Sequence, residues 1–326
     1  MSIATLLHAP VYLLAALGVA ALALGGMLSA PRKRPPPLAS IHAGAMKLDA
    51  ADKPALTRFQ ARDGTWLAYR RYPSGGERVA ILTHGSSAAS DEMNPAAKAL
   101  AAAAGVTAVA IDVRGHGASG ARGDIAYVGQ LEDDLADLLA QLRPSYPAAR
   151  FELIGHSLGG GFTARIAAMP LGRQFDRFVL LAPFLGGRAP TSRPANGGWA
   201  IADVPRILAL VALRRLGITL GQALPVIAYA NEPSAAMHTT SIYSFRLLAD
   251  YGPDFDWTTM KAAISSAAGK IKLIAGADDE LMDARAYARV LTPLGVAVTI
   301  LPGVNHMGIV YEPAALQALV AAAKAS

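Results

Sequence analysis

The chain has no cysteine among its 326 residues. That excludes disulfides, thiolate nucleophiles and cysteine-ligated zinc, and it removes redox chemistry as a guide to compartment. Charge is scarce as well: Asp, Glu, Lys and Arg make up 17% of residues against 53% hydrophobic ones, so a sizeable core is easily filled. Aromatics amount to only 6%, and no basic stripe interleaves with them, so nucleic-acid binding is not expected. The net charge of +6 is partly local, since Arg32, Lys33 and Arg34 stand side by side. No internal repeat is present. What the sequence does have is a long apolar front, a punctuated α/β body and one sharply patterned serine.

The front carries no Asp, Glu, Lys or Arg before Arg32, and residues 11–28 are all apolar, glycine or tyrosine. Such a run approaches the ~20 residues that a membrane-spanning helix needs. Pro10 suits a first helical turn and Pro31 marks the end. A cleaved signal peptide is the competing reading. It would need a basic start, which is missing, and small residues at the cleavage site, where Leu28-Ser29-Ala30 places a leucine. Residues 1–31 are therefore expected to be a retained transmembrane anchor. The Arg32-Lys33-Arg34 cluster keeps its side of the membrane cytoplasmic under the positive-inside rule. A single-pass protein with a cytoplasmic catalytic body follows. Pro35-Pro36-Pro37 opens a stiff linker, residues 32–54.

From residue 55 onward, strand-like and helix-like runs alternate. Two strands at 56–61 and 65–72 flank Asp63-Gly64 as a hairpin, and further strands fall at 79–83, 106–111, 151–154, 178–181, 272–275 and 296–301. Most are continuous apolar runs, as expected of strands buried on both faces of a parallel sheet. Helical segments lie between them at 94–104, 130–141, 160–168, 284–291 and 313–323. The fold class is α/β: an eight-stranded, mostly parallel sheet with helices on both faces and its active site beyond the strands' C-terminal ends. Residues 183–265 break the alternation. They show helix-like runs at 204–218 and 242–251, no convincing strand, and a turn-rich start at 193–198. An insertion there is expected to form a helical cap whose apolar residues, such as Ile207, Leu208 and Val211, pack on the body and shelter an apolar substrate.

The run Phe151-Glu-Leu-Ile-Gly-His-Ser-Leu-Gly-Gly160 passes from strand to helix with Ser157 at the turn. Gly155 and Gly159 stand two residues either side, where small residues let a strained apex push its hydroxyl above the sheet edge. Ser157 is the candidate nucleophile. The pattern is short, and a plain glycine-rich turn would also carry it, so partners are needed. His306, in the loop 303–308, is the one histidine beyond the carboxylates of 278–283 and is the candidate base. For the acid, Asp279 is preferred, Asp278 is second, and Asp283 suits a helix N-cap better. Backbone N–H groups of Ser86, after His84-Gly85, and of Leu158 are the candidate oxyanion donors. His84 suits turn packing, and Asp112, Arg114 and His116 suit a hydrogen-bonded loop more than direct catalysis. Glu232, Asp250, Asp254 and Asp256 are scattered and expected to be solvated.

With these residues in order, the chain resembles the α/β-hydrolase superfamily. It is most similar to the monoacylglycerol lipase, lysophospholipase and serine aminopeptidase S33 group. The matching residues are His84-Gly85-Ser86, Asp112-Val-Arg-Gly-His-Gly-Ala-Ser119, Gly155-His-Ser-Leu-Gly159, Gly276-Ala-Asp-Asp279 and Asn305-His306. The resemblance runs from about residue 56 to the C-terminus but weakens through the cap. It implies a Ser157–His306–Asp279 serine hydrolase that needs no metal or organic cofactor. The expected substrate is a carboxylic ester of lipid-like character, of monoacylglycerol or lysophospholipid type. Short esters, carbon–carbon bonds, haloperoxidase-type chemistry and peptides stay open, as does ligand binding on a hydrolase scaffold. Oligomeric state is not legible.

Overall fold

The computed structural model describes residues 3–36, 52–194, 198–230, 239–252 and 257–324. Most of the expected linker, Asn196, Gly197, Glu232, Asp254 and Asp256 lie outside the described residues.

Eight strands form one sheet: β1 (Leu56–Gln60), β2 (Trp66–Tyr72), β3 (Arg78–Thr83), β4 (Val106–Asp112), β5 (Arg150–His156), β6 (Arg177–Leu181), β10 (Ile271–Gly276) and β11 (Ala297–Leu301). Their order is β1-β2-β4-β3-β5-β6-β10-β11. β2 runs antiparallel to both neighbours, and every other pairing is parallel. All eight fall where the apolar runs predict them. The continuous runs have a plain cause: alternate side chains serve two separate cores. Val79, Ile81, Leu153 and Leu273 point into one, and Ala80, Leu82, Ile154 and Ile274 into the other. The first core is closed by the helices Gln130–Leu142 and Ser157–Ala167. The second is closed by Met93, Ala97 and Leu100 together with Leu319 of the helix Pro313–Lys324. In the central strands, period-2 alternation thus vanishes from the sequence because neither face meets water, whereas the edge strands β1 and β11 are partly exposed.

The region after β6 departs from expectation. Its helices are present at Val204–Arg215, Phe245–Tyr251 and Trp257–Ala267. Between them lies an antiparallel three-stranded sheet of β7 (Ala200–Ala202), β8 (Pro225–Tyr229) and β9 (Ile242–Ser244), in the order β7-β8-β9. The sequence hid it because β7 and β9 span three residues each, too short for a period. β9 also runs directly into a helix, where the Ser244 hydroxyl caps Leu247 N–H at 3.2 Å. Asp250 corrects a second expectation: it is buried, not solvated. Its carboxyl accepts from Gly129 N–H at 2.7 Å and Leu131 N–H at 2.9 Å, and burial together with the nearby Glu132 pushes its pKa up to about 8.

The N-terminal segment is one helix, Ile3–Ser29. Its stretch Val11–Ser29 has a mean hydropathy of 2.2 with none of it buried, and is long and apolar enough to cross a membrane. The helix ends against the cap. Arg206, itself buried, donates to the Leu28 carbonyl at 3.2 Å and to the Ala30 carbonyl, while holding Asp203 at 3.3 Å. Carbonyls in the last helical turn have no intrahelical donor, so one guanidinium satisfies groups that would otherwise stay unpaired.

Candidate active site

β5 ends at His156 and a helix begins at Ser157 itself, three residues earlier than the apolar pattern predicts. Ser157 carries φ of 51°, a left-handed conformation that side chains rarely adopt. The flanking glycines are required by contact. A Cβ at Gly155 would stand 2.2 Å from the Gly159 carbonyl oxygen, and one at Gly159 would stand 2.4 Å from that of His84. The spacing seen in the sequence therefore reflects how tightly β5, the helix and the end of β3 pass one another.

Asp279 lies three residues beyond β10 and His306 in the loop after β11, so both arrive at the same sheet edge as Ser157. His306 Nε2 stands 3.0 Å from Ser157 Oγ, and His306 Nδ1 stands 2.8 Å from Asp279 Oδ2. The other carboxylate oxygen of Asp279 accepts from Leu281 N–H at 2.8 Å and Met282 N–H at 2.7 Å. Burial opposes ionisation of Asp279, but His306 and these amides outweigh it and hold the carboxyl below its usual range. Burial likewise disfavours a charged His306, yet the Asp279 carboxylate prevails and raises the imidazole above its ordinary value. Asp278, the second candidate acid, is exposed, and Asp283 caps the next helix through Arg285 N–H at 3.0 Å.

Ser86 and Leu158 both line the cavity that contains Ser157. Leu158 sits in the first turn of its helix, where amides have no intrahelical acceptor. Ser86 is steadied by Trp199, whose indole N–H donates to Ser86 Oγ at 2.9 Å. His84 is a buried turn residue that accepts from Val113 N–H at 3.1 Å. The loop after β4 is held as expected: Asp112 accepts from Ser90 and Ala118 amides at 2.8 Å each, and Arg114 pairs with Asp63 and Asp134. His116 stays with that loop, 2.5 Å from the Tyr243 hydroxyl. Burial, reinforced by the nearby His84, drives its pKa well down.

Sequence reasoning missed a second buried pair. His156 Nδ1 lies 2.7 Å from Glu92 Oε1, and its Nε2 lies 3.2 Å from the backbone carbonyl of His306. Glu92 also accepts from Gly85 N–H at 2.8 Å. One carboxylate and one ring thereby tie together the loop after β3, the turn at Ser157 and the loop that carries His306. No spacing rule announces this, because Glu92 and His156 are 64 residues apart. Among the described residues, no group of three or more His, Asp or Glu side chains could hold a metal ion.

The cavity above Ser157 has a volume of about 510 Å³. Its outer wall is apolar, built from Val204, Ile207 and Leu208 of the cap helix with Leu248 and Ile227.

Sheet order, crossover helices and an apex serine at the edge define the α/β-hydrolase fold. Residues 76–313 match the family described as serine aminopeptidase, S33, and the chain belongs to it. Among solved structures, a soluble variant of monoglyceride lipase from Saccharomyces cerevisiae, in complex with a substrate analog, is similar at a TM-score of 0.63 and 16% identity. The match covers 84% of this chain and 96% of that one. A monoacylglycerol lipase from Paleococcus ferrophilus is similar at 0.55 and 19% identity, over 78% and 99% of the two chains. A membrane phospholipase A described as a bacterial virulence factor matches at 0.51 and 19% identity, over 99% of both chains, N-terminal segment included. At these identities the likeness carries the fold; substrate is a separate question.

Proposed function

We propose that the protein is a serine ester hydrolase acting on lipid-like carboxylic esters through an acyl-enzyme on Ser157. The observation that carries this reading is the strained Ser157, 3.0 Å from a histidine that is itself 2.8 Å from a buried aspartate.

His306 Nε2 takes the hydroxyl proton as Ser157 Oγ attacks the ester carbonyl carbon. Asp279 holds the ring in the tautomer with Nδ1 protonated and stabilises the imidazolium that forms. Backbone N–H groups of Ser86 and Leu158 receive the negative charge that develops on the carbonyl oxygen. The ester C–O bond then breaks, His306 returns its proton to the leaving alcohol, and water repeats the cycle to release the acid. Nothing in these steps calls for a metal or organic cofactor.

The apolar cap wall and the size of the cavity favour a long acyl chain over a short one. In this reading residues 1–31 are a retained single-pass anchor, 32–54 a linker, and 55–326 a cytoplasmic catalytic body whose cap spans about 183–265. A membrane-anchored body would meet amphiphilic esters where they reside. A reporter fused after Ser326 that works only outside the cytoplasm would reverse that orientation.

Hydrolysis of p-nitrophenyl esters from acetate to palmitate, with Ser157→Ala as control, tests the proposal. Activity that rises with chain length and falls on the order of 10⁶-fold in the variant supports it. Activity confined to the shortest esters would make the protein a small-molecule carboxylesterase. No activity at any length would favour a different hydrolase or a binding role.

A further inference from the structure

The cavity contains Arg188 and Arg193 and no other charged side chain among its lining residues. Both lie at its exposed rim, on the chain that leaves β6, and neither pairs with a carboxylate among the described residues. Arg193 is also pre-set. Its Nε–H donates to the backbone carbonyls of Asp279 at 3.0 Å and Met282 at 3.2 Å, and its backbone N–H donates to Leu281 at 3.0 Å. The two terminal amino groups of that guanidinium have no hydrogen-bond partner among the described residues.

Both arginine side chains are open to solvent and free of carboxylate partners among the described residues, so an anionic group entering the cavity can reach them. A guanidinium fork matches the paired oxygens of a phosphate. The cap helix contributes hydrocarbon to the same cavity, from Val204, Ile207 and Leu208. From this polarity of the cavity we infer that the substrate is an ester with an anionic phosphate headgroup, a lysophospholipid, and that Arg188 and Arg193 form its headgroup site. The acyl chain lies along the cap wall and the phosphate lies between the two guanidinium groups. This assignment rests on the esterase reading above and decides between the neutral and the phosphate-bearing lipids that reading allows.

The test compares kcat/KM for 1-palmitoylglycerol 3-phosphate and for 1-palmitoylglycerol, in the same neutral detergent micelles, with the full chain. Arg188 is the residue to change, because it is exposed and makes no hydrogen bond to another described residue. The wild type should prefer the phosphate ester. Arg188→Gln should lower the ratio of the two specificities about tenfold, mostly through KM, and Arg188→Lys should retain most of it. Rising salt should erode the preference more in the wild type than in the Gln variant, which keeps only Arg193. An equal ratio in wild type and Arg188→Gln overturns the headgroup site, even if p-nitrophenyl esters are still cleaved. Loss of all ester cleavage by the wild type would instead overturn the underlying esterase reading. Glycerol 3-phosphate should compete only weakly with p-nitrophenyl butyrate. Inhibition by it as strong as by the intact lipid would point to a free phosphate ester and overturn the lipid assignment.

Discussion

The sheet edge and the cap solve opposite problems. At the edge, the proposed reacting groups are buried and held several times over. Asp279 is fixed by a histidine and two amides, His306 by Asp279 and Glu280, and the Ser157 turn by its neighbours. On the cap, apolar side chains are left in the open: Val204 is 55% exposed and Leu208 49%, although both also line the cavity. Ile207 is partly buried against the core, and Arg206 on the same helix turns away to grip the end of the N-terminal helix. On the proposed function, geometry is over-determined where the ester would be cleaved, and surface is left available where its acyl chain would be recognised. Changes at the edge should therefore alter turnover, and changes on the cap should alter choice of substrate.

Asp279→Asn puts the first half of that contrast at greatest risk. It should lower kcat about 10⁴-fold, because the amide no longer selects the productive tautomer of His306. It should also move the pH profile. His306 accepts a proton only when neutral, and the Asp279 carboxylate raises its pKa. Wild-type kcat/KM is thus lost as pH falls through a midpoint above the ordinary imidazole value of 6.5, and the Asn variant should shift that midpoint downward. An unshifted acid limb would mean that some other group governs it.

Glu92→Gln probes the supporting network. Replacing the buried carboxylate by an amide weakens its hydrogen bonds to the His156 ring and to Gly85 N–H and costs about 2 kcal/mol of stability. Urea unfolding should show that loss, and an unchanged midpoint would mean the pair is dispensable to the edge. Leu208→Asp addresses the cap. Placing a charge on the cavity wall should lower palmitate-ester hydrolysis relative to acetate-ester hydrolysis about tenfold, the worth of burying one leucine side chain. Equal loss on both esters would blur the division between edge and cap.

The same division governs what the sequence made legible. All eight body strands lay at the expected places, since long apolar runs need no partner to be recognised. Ser157, Asp279 and His306 were readable because each follows a strand end in a fixed order, and the structure brings them within hydrogen-bond reach. The cap sheet was not readable, because two of its three strands have only three residues and carry no period. Glu92 with His156, Trp199 with Ser86, and Arg206 with Leu28 were equally hidden. Each pair is made by the fold across a long stretch of chain, and neither residue is unusual by itself. Asp250 was misjudged for a related reason: a lone carboxylate looks solvated until the amides of Gly129 and Leu131 close over it.

Covalent capture of Ser157 bears most directly on the proposed chemistry. The full chain would be treated with a long-chain fluorophosphonate and its peptides weighed by mass spectrometry, beside a His306→Ala variant shown to be folded by circular dichroism. The triad predicts a single phosphonyl adduct on Ser157 in the wild type and little or none when the base is gone. An unmodified Ser157 in folded wild-type protein, or equal labelling without His306, would contradict it.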